Sequence, residues 1–337
     1  MTLLLSACGG PRAADAPGPE SRSGAPAPPA PVAPAPKRAV AAPAPSAPTE
    51  APTPFPARFQ REREQPCAAL ALDQPPHIAA LGPASVAVRD KSGWHDEALP
   101  KAVAAAPELR LQVFYGRDFR IRVVGTHAGT SGPRTVYLRA MPGGLKPAPY
   151  ELGRLGNPSG GFVAVLGTAD PEVVCRPGDV CLIKRLSGWT NLPAPADLTH
   201  AAIARGNGFV LAGRQIFRAD REWVSSGPPG PWEKAGALFA VDERLFVLEP
   251  ERALIHELAN GAWTSVPSPV GAPTSLWGAT ATQLWLVGAA GLAHFDGKLW
   301  RPVPGAPPGL VSVLGRSADD VWFAGASGLY RLVLDKP

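Results

Sequence analysis

Nowhere does the sequence run to 18 consecutive apolar residues, so no segment reads as a membrane-spanning helix. Charge of one sign is never gathered. Lys and Arg total 33 against 28 Asp and Glu, and Arg58, Arg61 and Arg63 alternate with Glu62 and Glu64. A nucleic-acid surface needs basic residues clustered on one face, so nucleic acid is excluded as a partner. A 3.6-residue apolar period is missing throughout; even residues 101–108, the most Ala-rich stretch, are short and interrupted by Pro107. The signatures of common catalysis are absent too. There is no nucleophile elbow, His-Glu-x-x-His, Gly-rich phosphate loop or Cys/His quartet, so neither a metal nor a cofactor is expected.

Proline, by contrast, is abundant, with 42 residues concentrated early. Residues 11–56 are almost wholly Pro, Ala, Ser, Gly and Thr, with too little apolar side chain to offset the entropy of ordering them. Residues 9–56 are therefore expected to be a disordered, extended spacer of roughly 3 Å per residue, able to reach about 100 Å or more. Ahead of it, MTLLLSAC ends in Leu5-Ser6-Ala7-Cys8. This resembles the lipobox of bacterial lipoproteins, in which the Cys is lipidated and becomes the mature N-terminus. The resemblance implies a partial signal at 1–8, lipidation of Cys8 and an outer-membrane location.

Cysteine is scarce, and beyond Cys8 there remain Cys67, Cys175 and Cys181. The last two flank Arg-Pro-Gly-Asp-Val, where Pro177-Gly178 is a strong turn signal. A turn over 177–179 places Arg176 opposite Val180 and Cys175 opposite Cys181, within disulfide range. Two reduced thiols or a metal half-site are the rival readings, though no second pair completes four ligands. Cys67 is expected to be a lone buried thiol.

The tail, 273–334, holds one unit almost twice: PTSLWGATATQLWLVGAAGLAHFDGKLWRPVP and then GLVSVLGRSADDVWFAGASGLYRLV. Each copy has three short apolar runs bounded by Gly, Ala, Ser, Asp or Thr, which read as strands of an antiparallel meander. A Trp closes each unit, at Trp94, Trp189, Trp223, Trp263 and Trp300. The gap from Trp94 to Trp189 holds two units, with Tyr150 standing in for Trp in a fourth strand at 148–152. Counting the tail, this predicts an all-β, seven-bladed β-propeller of four-stranded blades over residues 57–337. Because the tail lacks its outermost strand, the run ARFQRERE at 57–64 is expected to pair with 329–333 and close the ring.

The tail motifs, LWG-x(6)-LWLVG-x(3)-GL-x-HFDG-x-x-W and SADDVWFAG-x-x-GL, resemble a Trp/Asp-Gly repeat of myxobacterial lipoproteins and secreted proteins. That resemblance implies a propeller in the cell envelope and no particular reaction. Asp319-Asp320 reads as a turn whose carboxylates satisfy local backbone N–H groups. His256 and His294 fall at a third-strand position that holds Arg89, Lys184, Arg218 and Arg331 in other units, which predicts outward-facing polar side chains rather than ligands. The repeated Trp residues read as blade packing rather than binding platforms. The longest unpatterned connection, 126–133, carries His127 and ends beside Arg134, and these two are the candidate binding residues.

The sequence thus predicts a non-catalytic, envelope-anchored monomer that binds a protein or glycan partner and meets the membrane only through its lipid. The alternatives are an exported hydrolase or lyase acting on polysaccharide, which needs an acidic cluster at the channel mouth, and an outer-membrane assembly factor, which needs an exposed apolar groove.

Overall fold

The computed structural model describes residues 57–73, 76–106, 110–115, 120–129, 132–147, 163–166, 171–185, 188–204 and 207–334. Cys8 and the spacer at 9–56 lie outside the described residues. The rest forms seven four-stranded antiparallel sheets, the blades of a β-propeller. Blades 1 to 6 occupy residues 69–98, 110–147, 163–193, 198–225, 237–267 and 273–302, each a meander in chain order. Blade 7 takes three strands from 310–334 and its outermost strand, Ala57–Arg63, from the other end of the domain.

Strand runs such as Gln283–Gly288 and Asp320–Gly325 are apolar on both faces because each blade is sandwiched between two neighbours. Leu286, Val287, Val321, Phe323 and Ala324 are fully buried, and burying each of the larger side chains contributes about 1.5–3 kcal/mol. The core is consequently a ring of inter-blade layers. In one of them Trp285 and Val287 of blade 6 pack on Val313, Val321 and Phe323 of blade 7. The Trp-Gly signal of the repeat has its cause here. A Cβ on Gly315 would lie 2.5 Å from the Trp277 ring of the preceding blade, so only glycine admits the indole. The Asp-Gly signal is a turn: Asp296 accepts the backbone N–H groups of Lys298 and Leu299 at 2.9 Å each. Those two bonds, with the Arg301 guanidinium, pull its carboxyl down to about 2.

Ring closure follows the expected pairing. Ala57 sits opposite Leu334, Phe59 opposite Leu332 and Arg63 opposite Leu329, and Phe59 meets the buried Phe323 edge-on at 5.6 Å. Arg63 then reaches blade 1, with two hydrogen bonds to Asp96 at 2.8 and 3.0 Å. In blade 3, Cys175 and Cys181 are cross-strand partners joined by a disulfide, and Arg176 pairs with Val180. Closing so small a loop contributes about 2 kcal/mol in the chain-entropy account.

Blade 2 departs from the sequence reading. Its outer strand is Gly144–Pro147, after a tight turn at Pro142-Gly143; residues 148–152, proposed for that strand, lie outside the described residues. Its middle strands, Ile121–Gly129 and Gly132–Met141, continue their ladder up to Gly129↔Gly132. Residues 126–129 and 132–133 are therefore paired strand and not an irregular loop. A Gly- and Ser-rich stretch conceals this, because alternation is its only strand signal and small residues erase it.

The meander defines two faces. Connections between blades and the turns joining second to third strands gather on one, here the upper face. The turns after first and third strands gather on the lower face.

Candidate functional site

The upper rim of the central channel is built from the first residues of the inner strands: Ala68, Thr199, Gly236, Thr274 and Val311, all exposed. Thr199, Thr274 and Val311 are bulged positions, where the register of the inner strand shifts. Among these described rim residues none is acidic. Thr274 donates its hydroxyl to the Val311 carbonyl at 3.1 Å, tying blade 6 to blade 7.

On this rim, where blades 7, 1 and 2 meet, lies a largely apolar cavity of about 380 Å³ lined by Pro66, Cys67, Leu81, Pro83, Leu111 and Val311 among others. Its walls are fixed by backbone bonds. Cys67 N–H donates to the Gly325 carbonyl at 3.0 Å, Ala68 N–H to Leu81 at 2.8 Å, and Ala326 N–H to Gly309 at 2.9 Å. Gly325 is obligatory, since a Cβ there would lie 2.2 Å from the Gly309 oxygen. The Cys67 thiol, 5% exposed, donates to the Gln65 carbonyl at 3.3 Å. Burial pushes it up to about 11, against a smaller opposing pull from Arg63, so it stays protonated. Val311 at 40% exposure is the apolar side chain that the rim offers most openly.

Leu111, in the cavity wall, pairs with Gly125, and the inner strand's pairing ends at Arg110↔Thr126. Beyond that point the hairpin continues for three residues on each strand, about 10 Å, above the upper face. His127 and Arg134 are opposite one another in its register, so the structure brings the two sequence candidates together on the arm beside the cavity.

The histidines divide differently from expectation. His294 is half-buried against Trp285, with ring centroids 4.5 Å apart. His256 is 1% exposed, and it is not the equivalent of His294. In blade 6 His294 pairs with Trp285, whereas in blade 5 the matching aromatic, Phe246, pairs with Glu257. His256 lies seven residues before Trp263, where His294 lies six before Trp300. A one-residue slip moves a side chain to the other face of the sheet, and it carries His256 inward. Its Nε2 lies 2.9 Å from Glu249 Oε2 and its Nδ1 2.8 Å from Ser265 Oγ. Glu249, itself 1% exposed, accepts the backbone N–H groups of Glu233 and Lys234 at 2.9 and 3.2 Å. Burial pushes its carboxyl up, but these N–H groups and His256 outweigh burial and hold it below the usual range.

The acid pair sits at the expected turn, and its two members take different roles. Asp320 bonds the Arg316 guanidinium at 2.5 Å and the Trp322 indole N–H at 2.9 Å. Arg316 in turn donates to the Asp73 carbonyl of the first inter-strand turn at 2.7 Å. Asp320 is thus a clamp between blades 7 and 1, while Asp319 stays in the turn and accepts the Ser317 hydroxyl. The outer Trp residues are clamps as well. Trp223 donates its indole N–H to Pro193 of blade 3 at 2.6 Å, Trp263 to Pro228 at 2.9 Å, and Arg63 lies 5.5 Å over Trp94.

No protein-family model and no curated protein matches the chain. Its fold is similar to that of YCF48 bound to D1 peptide, at 15% identity and a TM-score of 0.59 over 83% of this chain and 96% of that one. It is similar to streptogramin B lyase, at 13% identity and 0.59 over 84% and 100%. It also matches the extracellular domain of a hybrid two-component system from B. thetaiotaomicron, at 9% identity and 0.54 over 84% and 42%. At such identities the likeness is one of architecture: the chain is a seven-bladed β-propeller.

Proposed function

We propose that the upper face of the protein is a non-catalytic binding surface: the protein is a monomer of the bacterial cell envelope whose upper face receives a segment of a protein partner. The observation that carries this reading is the apolar cavity at the channel rim, with the hairpin of His127 and Arg134 standing beside it. A largely apolar concave site with a few polar groups at its edge suits one anchoring side chain of an extended segment. YCF48, of similar fold, has been seen with a peptide bound, and another similar propeller is an extracellular domain, which supports both the partner class and the location. Cys8 would carry the lipid, residues 9–56 would serve as the spacer, and residues 57–337 would be the displayed domain, as in the myxobacterial-type lipoproteins that the repeat resembles.

Co-purification from crosslinked envelopes tests the proposal, comparing the native chain with Val311→Glu, a charge placed on the exposed rim. A protein partner captured by the native chain and lost from Val311→Glu is the expected result. Capture of glycan alone, or of the same proteins by both chains, overturns it.

A further inference from the structure

Ser265, His256 and Glu249 form a continuous relay in blade 5, far from the rim cavity in the fold's plan. From their geometry we propose that Ser265 is an activated nucleophile able to accept an acyl group from a small uncharged ester. The carboxylate of Glu249 can only accept hydrogen bonds, so the proton between it and His256 resides on Nε2. In the neutral ring Nδ1 is then an acceptor, and the hydroxyl of Ser265, 2.8 Å away, donates to it. The base is thus aimed at the hydroxyl of an exposed serine, and a buried anion holds its tautomer, which is the arrangement that activates a serine.

The surroundings keep the relay in place. The buried Trp232 ring lies 6.0 Å from His256 and 4.9 Å from the half-buried Trp263, two residues before Ser265 on the same strand face. The charged groups facing the pair are Arg252, 3.6 Å from Glu249 Oε2 and 3.3 Å from Glu233, and the Lys234–Glu251 ion pair on the connecting segment. In the reaction Ser265 Oγ bonds the acyl carbon while its proton passes to His256 Nδ1. The carbon–oxygen bond to the leaving alkoxide then breaks, and the alkoxide takes that proton. Water repeats the sequence on the acyl-serine and frees the acid. Ser265 and His256 are the reacting residues and Glu249 is a positioning residue.

The intact chain is treated with an uncharged alkyl fluorophosphonate, which forms an oxygen–phosphorus bond to serine and releases fluoride with the serine proton. Peptide mapping gives the labelling rate at each serine. Ser92 and Ser317 are exposed serines whose hydroxyls meet carboxylates, at 2.6 and 2.5 Å, and no imidazole. Labelling of Ser265 about 100-fold faster than these two is expected, the scale of general-base assistance. Equal rates, or no label on Ser265, overturn the proposal without any variant. Glu249→Gln supplies the second readout. Its amide can keep the two backbone bonds but presents N–H to His256 Nε2, which moves the ring proton to Nδ1 and removes the base from Ser265. A Glu249→Gln chain that melts cooperatively yet no longer labels at Ser265 supports the relay, and one that labels at the native rate overturns it.

Discussion

Phe59→Ala weakens the closure of the ring without deleting a residue. Phe59 is the half-buried side chain of the outermost strand Ala57–Arg63, set edge-on to Phe323, which is fully buried and itself packs against Trp285 at 5.8 Å. Truncating a fully buried Phe costs about 3–5 kcal/mol, so a half-buried one costs about 2 kcal/mol. Roughly 1 kcal/mol of that is the edge contact between the two rings. Backbone pairing from Ala57↔Leu334 to Arg63↔Leu329 is untouched, so the loss is confined to packing. In a domain of this size 1 kcal/mol moves the melting temperature by roughly 2–4 °C, which gives an expected drop of about 4–8 °C. Gln60→Ala is the control, because Gln60 is exposed beside Phe59 and its truncation should stay within about 0.5 kcal/mol. The assay is thermal unfolding by circular dichroism, with limited proteolysis mapping the first cut. Phe59→Ala should bring that cut into blade 7, where the edge loosens. If Phe59→Ala and Gln60→Ala melt together, the strand contributes nothing to closure and the energetic reasoning fails.

Two further outcomes are expected. Cys8→Ser, expressed with a functional upstream signal, should move the protein from the membrane pellet to the soluble fraction; a variant still pelleting after a salt wash refutes the lipid anchor. Cys67, with its thiol pushed up to about 11, should react with iodoacetamide at pH 8 about 100-fold more slowly in the folded chain than in denaturant, since only about one thiol in 10³ is ionised, and equal rates would show that the thiol is neither buried nor shifted.

The propeller was legible in the sequence because its strands repeat the same physical solution. A blade squeezed between neighbours needs runs apolar on both faces, and Trp277 needs Gly315 beneath it, so LWG and VWFAG recur as visible text. Closure was legible for a related reason. Phe59 among alternating Arg and Glu is what an outermost strand with one solvent face must look like. Blade 2 was harder. Its outer strand, Gly144–Pro147, carries no aromatic, and its hairpin is written in Gly, Thr, Ser and Ala, which leave no alternation to read. The rim cavity had no local signal at all. It is assembled from residues 66–68, 81–83, 111, 311 and 326, small apolar side chains that only the closed ring makes neighbours. His256 shows the sharpest limit. Its spacing to Trp263 is one residue longer than that of His294 to Trp300, and this single offset reverses its face and joins it to Glu249.

Ring closure also sets the direction in which the rim cavity looks. Ala57 pairs with Leu334, the last residue of a strand that descends from the upper face, so both ends of the propeller lie at the lower side of blade 7. The cavity and the hairpin of His127 and Arg134 belong to the opposite, upper side. Chain arriving at Ala57 therefore enters the domain on the side away from the proposed binding face. Among the described residues nothing in the cavity wall precedes Pro66, so the wall is built by the closed ring itself. Recognition, as proposed, thus belongs to the closed ring that Phe59 helps to hold.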